Sequence, residues 1–129
     1  MKTLGEVKSQ IEKLAGQAGI PSELIPSFGK LSGSNAEVFV EKDKYHFIAN
    51  GNEASTNDSD ELIYIVFQEM TKQMGYIYEV EHRDSKSDSR RIAFRRQLEL
   101  LENLNLDWKK RREKEIEELL KWYPYNDQE

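Results

Sequence analysis

The spacing of apolar residues changes twice along the chain, and each change marks a different kind of secondary structure. Near the N-terminus apolar residues recur every three or four positions, as on one face of a helix: Leu4, Val7, Ile11, Leu14 and Ala18. In residues 36–57 apolar and polar residues alternate, as on a strand. The helical spacing returns at residue 58 and continues to residue 123. This pattern predicts an α+β fold, with an N-terminal helix over residues 3–17 and a small sheet followed by three helices.

The alternating segment predicts an antiparallel β-meander of two or three strands. Aromatic and β-branched residues dominate its sequences AEVFVE and KYHFIA, as they do in strands generally. The sequence EKDK predicts the first turn, and Asn50-Gly51 predicts the second, because both of these residues tolerate positive φ. Residues 19–35, with two prolines and three glycines, predict a loop with one helical turn at residues 22–25.

Three helices are predicted over residues 59–79, 88–103 and 107–122. Asp58 precedes the first as its N-cap, and the wide apolar face of this helix, which includes Ile77, places it at the centre of the core. Gly75 is the weak point of this helix. The 129 residues are predicted to form one domain: a helix and loop (1–30), the meander (36–57), the helical part (58–123) and a tail (124–129).

Two polar residues lie inside the apolar stripe of the predicted helix over residues 88–103. Arg90 and Gln97 are seven residues apart, and therefore share the face that carries the leucines. A buried arginine needs a partner, because an unpaired buried charge is costly. We expect Arg90 to pair with a carboxylate of the central helix, and Glu69 is the first choice. Gln97 is expected to belong to the same network. The alternatives are an Arg90 side chain that reaches solvent from the first turn, and an Arg90 that binds a ligand directly.

The last predicted helix carries the charged sequence KKRREKEIEELLK from Lys109. Its acidic residues follow its basic residues at helical spacing, as Glu115 follows Arg111, which predicts a solvated, ion-paired face rather than a nucleic-acid-binding segment. The buried stripe of this helix is predicted to consist of Trp108, Ile116, Leu119, Leu120 and Tyr123.

Neither composition nor motifs supply the groups of a catalytic or metal site. The sequence has no cysteine and two histidines, His46 and His82, neither of which stands in a recognisable catalytic or metal-binding motif. We expect His46 to be a solvated strand residue on the face opposite Tyr45 and Phe47, and His82 to lie at a helix C-terminus. The sequence therefore predicts a protein that is not an enzyme and that has no metal or cofactor.

The charges are unevenly distributed. Residues 1–81 carry 7 basic and 13 acidic side chains, residues 82–96 carry 6 and 2, and residues 97–129 carry 6 and 9. The acidic body suits a basic protein partner and argues against nucleic acid as the ligand. Because segment 83–96 is basic, nucleic-acid binding through this segment remains the least favoured alternative function. The sequence shows no long apolar run and no secretory signal, so we expect no membrane segment and a cytoplasmic location.

Three stretches between residues 60 and 108 have a recognisable pattern: an acidic start to a helix, a Tyr-Glu…Arg stretch, and Asp-x-Arg-Arg-x-x-Phe-x-x-Gln-x-x-Leu-Leu before a Trp. The residues are Asp60, Glu61, Leu62, Tyr64 and Phe67, then Tyr78, Glu79 and Arg83, then Asp88, Arg90, Arg91, Phe94, Gln97, Leu100, Leu101 and Trp108. This pattern resembles the bacterial immunity protein 63 family.

The resemblance implies a cytosolic immunity protein that binds a toxin domain made by the same bacterium and neutralises it by covering the active site. The acidic body would attract a basic toxin, such as a nuclease domain. A non-catalytic adaptor or regulatory module that binds another protein is the main alternative.

Two sets of residues are the candidate sites. A polar network that marks the fold is expected from Glu69, Asp88, Arg90, Arg91 and Gln97. Contact with the partner is expected from exposed charged residues in the C-terminal part and at the start of the central helix: Asp60, Arg83, Arg95, Glu99, Glu102 and Asp107.

Overall fold

The computed structural model describes residues 1–30 and 35–128 and has the predicted α+β architecture. Its elements are α1 (Leu4–Gln17), a 3-10 turn (Ser22–Leu24), β1 (Ser27–Phe28), β2 (Ala36–Glu41), β3 (Lys44–Ala49), β4 (Asn52–Thr56), α2 (Ser59–Glu81), α3 (Ser89–Leu104) and α4 (Leu106–Trp122). The chain divides into two compact units, Met1–Met70 and Thr71–Glu129. The prediction that the 129 residues form one domain stays a prediction. None of the described helices combines the length and apolarity that crossing a bilayer requires.

The sheet of the first unit has the strand order β1-β2-β3-β4. β2, β3 and β4 form the predicted antiparallel meander, and β1 adds a fourth strand parallel to β2, with Ser27 opposite Glu37. The prediction missed β1, because two residues are too short to show an alternation. Both predicted turns are confirmed, and the two central residues of each have positive φ: Lys42, Asp43, Asn50 and Gly51.

The core of the first unit combines α1, the sheet and the first half of α2. Val7, Ile11 and Ala15 are the buried residues of α1, which begins with a capping box formed by Thr3 and Glu6. The Tyr45 hydroxyl donates to the backbone carbonyl of Lys2 and so connects β3 to the residue two positions before α1. Buried residues of α2 in this unit are Leu62, Ile63, Tyr64, Val66, Phe67 and Met70.

The outer face of the sheet departs from the predicted alternation. Phe39 is only 6% exposed, while Val40, two residues after the buried Val38, is 40% exposed. The Phe39 ring is covered by the Lys30 ammonium group at 4.8 Å and by the His46 ring, stacked at 5.0 Å. His46 is therefore half-buried rather than solvated, and its ring nitrogens lie 3.0 Å from a Glu53 carboxylate oxygen and 3.1 Å from the Glu41 carbonyl oxygen.

In the second unit α2 continues through Gly75 to Glu81 without a break. A Cβ atom at Gly75 would lie 2.4 Å from the carbonyl oxygen of Ala93, so glycine is required where α2 meets the backbone of α3. Ile77 is 52% exposed, contrary to the prediction, because it lies about 200° around α2 from the side that packs on α3. His82 follows the end of α2, as predicted, with its Nδ1 atom 2.9 Å from the Tyr78 carbonyl oxygen.

Asn105 separates α3 from α4. Its backbone N–H donates to the Leu101 carbonyl at the end of α3, while its side-chain oxygen accepts from the N–H groups of Asp107 and Trp108 at the start of α4. The predicted stripe of α4 is confirmed at Ile116, which is buried, but Leu119 and Tyr123 are exposed. Tyr123 lies at the C-cap of α4, where the chain leaves the helix and returns toward α3.

Candidate functional site

Arg90 pairs with Asp88 and with the end of α4, so the prediction of Glu69 as its partner is wrong. Its guanidinium group lies 3.2 Å and 2.9 Å from the two carboxylate oxygens of Asp88. It also donates to the carbonyl oxygens of Tyr123 at 2.8 Å and Pro124 at 2.9 Å. The last carbonyls of a helix lack hydrogen-bond partners within the helix, and Arg90 donates to the two carbonyls with which the chain leaves α4.

Asp88 is both the N-cap of α3 and the partner of Arg90. Its carboxylate accepts from the backbone N–H groups of Arg90 at 3.0 Å and Asn126 at 2.9 Å. The side-chain hydrogen bonds from Arg90 hold the pKa of Asp88 far below its usual range, and these two backbone donors lower that pKa further against the opposing effect of burial.

The C-terminal tail is fastened to the start of α3 by a second set of contacts. Arg91 Nε lies 3.0 Å and 2.9 Å from the Asp127 carboxylate oxygens, and Asp127 also accepts from the Asp88 N–H at 2.8 Å. The Tyr125 ring lies 4.0 Å below the Arg91 guanidinium carbon. We call Asp88, Arg90, Arg91, Tyr125 and Asp127 the tail clamp. Asp88, Arg90 and Arg91 were expected in a polar network, but Tyr125 and Asp127 were not, because they lie more than thirty residues further along the chain.

A second polar network is buried between α3 and α4. Gln97 is fully buried; it donates to the Thr71 hydroxyl at 3.3 Å and accepts from Arg112 Nε at 3.1 Å. Arg112, only 8% exposed, also donates to Glu115 at 3.3 Å. Gln97 therefore belongs to a polar network, as expected, but with Arg112 rather than Arg90.

Sequence analysis assigned Arg112 to a solvated face, which is wrong. The signal that identifies it is its spacing: Arg112 stands four residues after Trp108 and four before Ile116, both in the predicted stripe of α4. An arginine at the centre of an apolar stripe is the pattern that singled out Arg90, and it applies more strongly to Arg112. The charged neighbours on either side obscured it.

Two further carboxylates form specific pairs. Glu69 accepts from the Asn50 side chain at 2.8 Å and so connects α2 to the turn between β3 and β4. Glu79 is buried and accepts two hydrogen bonds from Arg83, at 2.9 Å and 3.1 Å. These bonds raise the pKa of Arg83. Sequence analysis listed Glu79 only as part of a pattern, although its i,i+4 spacing to Arg83 is that of a helical ion pair.

An open groove of about 370 Å³ runs between α3 and α4. We call it the α3–α4 groove; it is lined by Arg91, Phe94, Arg95, Leu98, Glu99, Glu102, Lys109, Glu113, Ile116 and Tyr125. Three of the six residues expected to contact a partner, Arg95, Glu99 and Glu102, lie together here. Asp107 and Arg83 are exposed outside its lining, and Asp60 is exposed in the first turn of α2, in the first unit.

The basic segment 83–96 is largely neutralised by carboxylates of the same unit. Four of its six basic side chains are ion-paired: Arg83 with Glu79, Arg90 with Asp88, Arg91 with Asp127 and Arg96 with Glu99. Phosphate binding requires arginine and lysine groups that are available to neutralise it. The pairing therefore counts against this segment as a nucleic-acid surface. Within residues 1–30 and 35–128 no group of three His, Asp or Glu side chains is placed to hold a metal ion.

The sequence model of the family described as Immunity protein 63 matches residues 42–118 of the chain. No curated protein and no solved structure gives a significant match. The matched span begins in the turn between β2 and β3 and ends in α4. It includes the buried Gln97–Arg112 network and the Glu79–Arg83 pair, whereas α1, β1 and the tail lie outside it.

Proposed function

Because the chain belongs to the Immunity protein 63 family, we propose that it binds a toxin domain made by the same bacterium and neutralises it by covering the toxin's active site. The family match over residues 42–118 carries this proposal. The chain would then act by occupying a protein surface and not by catalysis, with a cytoplasmic location, where the toxin is made.

The distribution of charge supports a basic partner. Residues 1–70 contain 6 basic and 11 acidic side chains, a balance of −5, whereas residues 71–129 contain 13 of each. The net charge of the chain therefore belongs to the first unit. An acidic surface accelerates the approach of a basic protein, and we propose a basic toxin such as a nuclease domain.

Of the six charged residues proposed to contact the toxin, Asp60, Arg95, Glu99, Glu102 and Asp107 remain the stronger candidates. All six are exposed. Arg83 is the weakest, since its guanidinium already makes two hydrogen bonds to Glu79. The ion pairing of segment 83–96 supports a protein partner over nucleic acid.

Co-expression tests the proposal. We would express the C-terminal domain of the protein encoded directly upstream in a bacterial host, with and without this chain. Survival only in the presence of the chain is the expected result. A toxin domain of an unrelated family serves as the control, since a specific immunity protein leaves it active. Death of the host at matched levels of both proteins would contradict the proposal, and protection from the unrelated toxin would favour a general adaptor.

A further inference from the structure

We propose that the α3–α4 groove is the surface that receives the toxin, and that the toxin segment entering it carries an apolar side chain between one acidic and one basic residue. This inference rests on the proposed function and adds to it the contact surface and the chemistry of the partner segment.

The floor of the groove is apolar. Phe94 and Ile116 are buried, and Leu98 is half-buried. The groove, at about 370 Å³, is within the size range of sites that bury a ligand's surface. An apolar side chain of a partner would displace water from this floor, and such central apolar anchors supply much of the affinity of protein interfaces.

Two charges of opposite sign stand at the rims. Arg95 lies on α3 and Glu113 on α4, and neither has an ion-pair or hydrogen-bond partner within the described part of the chain. The other charged lining residues are paired: Arg91 with Asp127, Glu99 with Arg96 and Glu102 with Lys109. A carboxylate of the toxin would complement Arg95, and a lysine or arginine would complement Glu113.

The chain's own tail shows what this surface accepts. Tyr125 lines one end of the groove, with its ring 6.5 Å from the Phe94 ring and 4.0 Å from the Arg91 guanidinium carbon. Its neighbour Asp127 neutralises Arg91. An aromatic ring beside an acidic group thus already lies against Arg91. The rest of the lining, which includes Arg95 on α3 and Glu113 on α4, is available to a partner.

The walls of the groove are fixed in place before any partner binds. The Gln97–Arg112 hydrogen bond, 3.1 Å long and buried, joins α3 to α4, and Asn105 caps both helices at their junction. A rigid site loses little conformational entropy on binding, so that its contacts contribute more fully to affinity.

The test measures the affinity of the purified full chain for the purified C-terminal domain of the protein encoded directly upstream. The groove variants are Arg95→Glu and Glu113→Lys. Their matched controls on α4 are Lys114→Glu and Glu118→Lys, which make the same changes of charge at exposed positions outside the groove lining. Circular dichroism checks that each variant is folded.

We expect each groove variant to bind at least about tenfold more weakly than the natural chain, and each control to stay within about twofold, since the charge opposite a complementary partner is reversed only in the groove. If the natural chain binds and both groove variants bind within twofold of it, the groove inference is wrong and the proposed function stands. If the natural chain itself does not bind this domain, the proposed function fails, and the groove inference fails with it.

Discussion

Arg112 is a buried charged residue that is held by its hydrogen-bond partners. Its Nε atom donates to Gln97, its Nη1 atom donates to Glu115, and its guanidinium carbon lies 5.9 Å from the centre of the Phe94 ring. A buried guanidinium is tolerated only when such contacts replace water. The side chain therefore acts as a fixed connection between α3 and α4.

We expect Arg112→Ala to lower the free energy of unfolding by about 2–3 kcal/mol, because it removes packing and the buried hydrogen bond from Arg112 Nε to Gln97. Urea unfolding measures this change. Arg111→Ala is the matched control: Arg111 is exposed, its ion pair with Glu115 spans 3.4 Å, and its loss should cost less than about 1 kcal/mol. Equal costs for the two variants would show that burial of Arg112 contributes nothing.

Gly75 gives a second prediction at the scale of one residue. Gly75→Ala places a Cβ atom 2.4 Å from the Ala93 carbonyl oxygen, so α2 and α3 must move apart. We expect this variant to lower the free energy of unfolding by about 1–3 kcal/mol.

Gly16 is a helical position at which an added Cβ atom would meet nothing within 4 Å outside its own helix backbone. Gly16→Ala should therefore raise the free energy of unfolding by about 0.5 kcal/mol. Thermal melting of the two variants measures both effects. A rise in the melting temperature of Gly75→Ala would contradict the close approach of α2 and α3.

Sequence analysis could find single buried polar residues but not their partners. Helical spacing correctly marked Gln97 as buried, since seven residues bring it back to the face of Arg90. The backbone carbonyls that Arg90 binds depend on where the chain goes after α4, and no local pattern carries that information. Glu69 was the first choice among the carboxylates of the central helix, whereas Asp88 and the backbone of the tail bind Arg90 in the structure.

At the scale of elements, the tail and the start of α3 stabilise each other through the tail clamp. Arg90 contacts the backbone of residues 123 and 124, Arg91 binds Asp127, and Asp88 accepts from the Asn126 N–H. Sequence analysis predicted α1, the meander and the three C-terminal helices, because each has its own period or cap. It missed β1 and the part that the tail plays in the clamp, because both depend on pairing with residues distant in the chain.

The tail clamp makes stability depend on pH. Because Arg90 lowers the pKa of Asp88 in the folded chain, the folded state binds fewer protons than the unfolded state, in which this pKa returns to about 3.9. The contribution of the Asp88 charge is therefore fully present above about pH 4 and is lost progressively as the pH falls toward the folded-state pKa.

We expect Asp88→Asn to lower the free energy of unfolding by about 1–2 kcal/mol at pH 7, since asparagine keeps the helix cap but not the charge. The difference from the natural chain should narrow at pH 3. Urea unfolding at the two pH values measures this difference. Asp107→Asn, in the first turn of α4, is the control, and it should change the free energy of unfolding little at either pH. A difference that is the same at both pH values would contradict the role of the charge.

At the scale of the whole molecule, the two units differ in charge and in the kind of surface they offer. The first unit carries the net charge of −5, and the second is neutral and carries the α3–α4 groove. We infer a division of roles, in which the first unit attracts a basic toxin from a distance and the groove provides specific contact. High salt should then slow association much more than it accelerates dissociation.

Under the proposed function, the chain neutralises its toxin by binding to it and covering its active site, without catalysis. The most direct test is to titrate the purified toxin domain with the purified chain and to measure the remaining toxin activity at each molar ratio. We predict that activity falls in proportion to the added chain, vanishes near one chain per toxin, and returns when the toxin is separated and refolded. Loss of most activity at a small fraction of that ratio, with no recovery, would contradict it, because only a catalyst inactivates many toxin molecules.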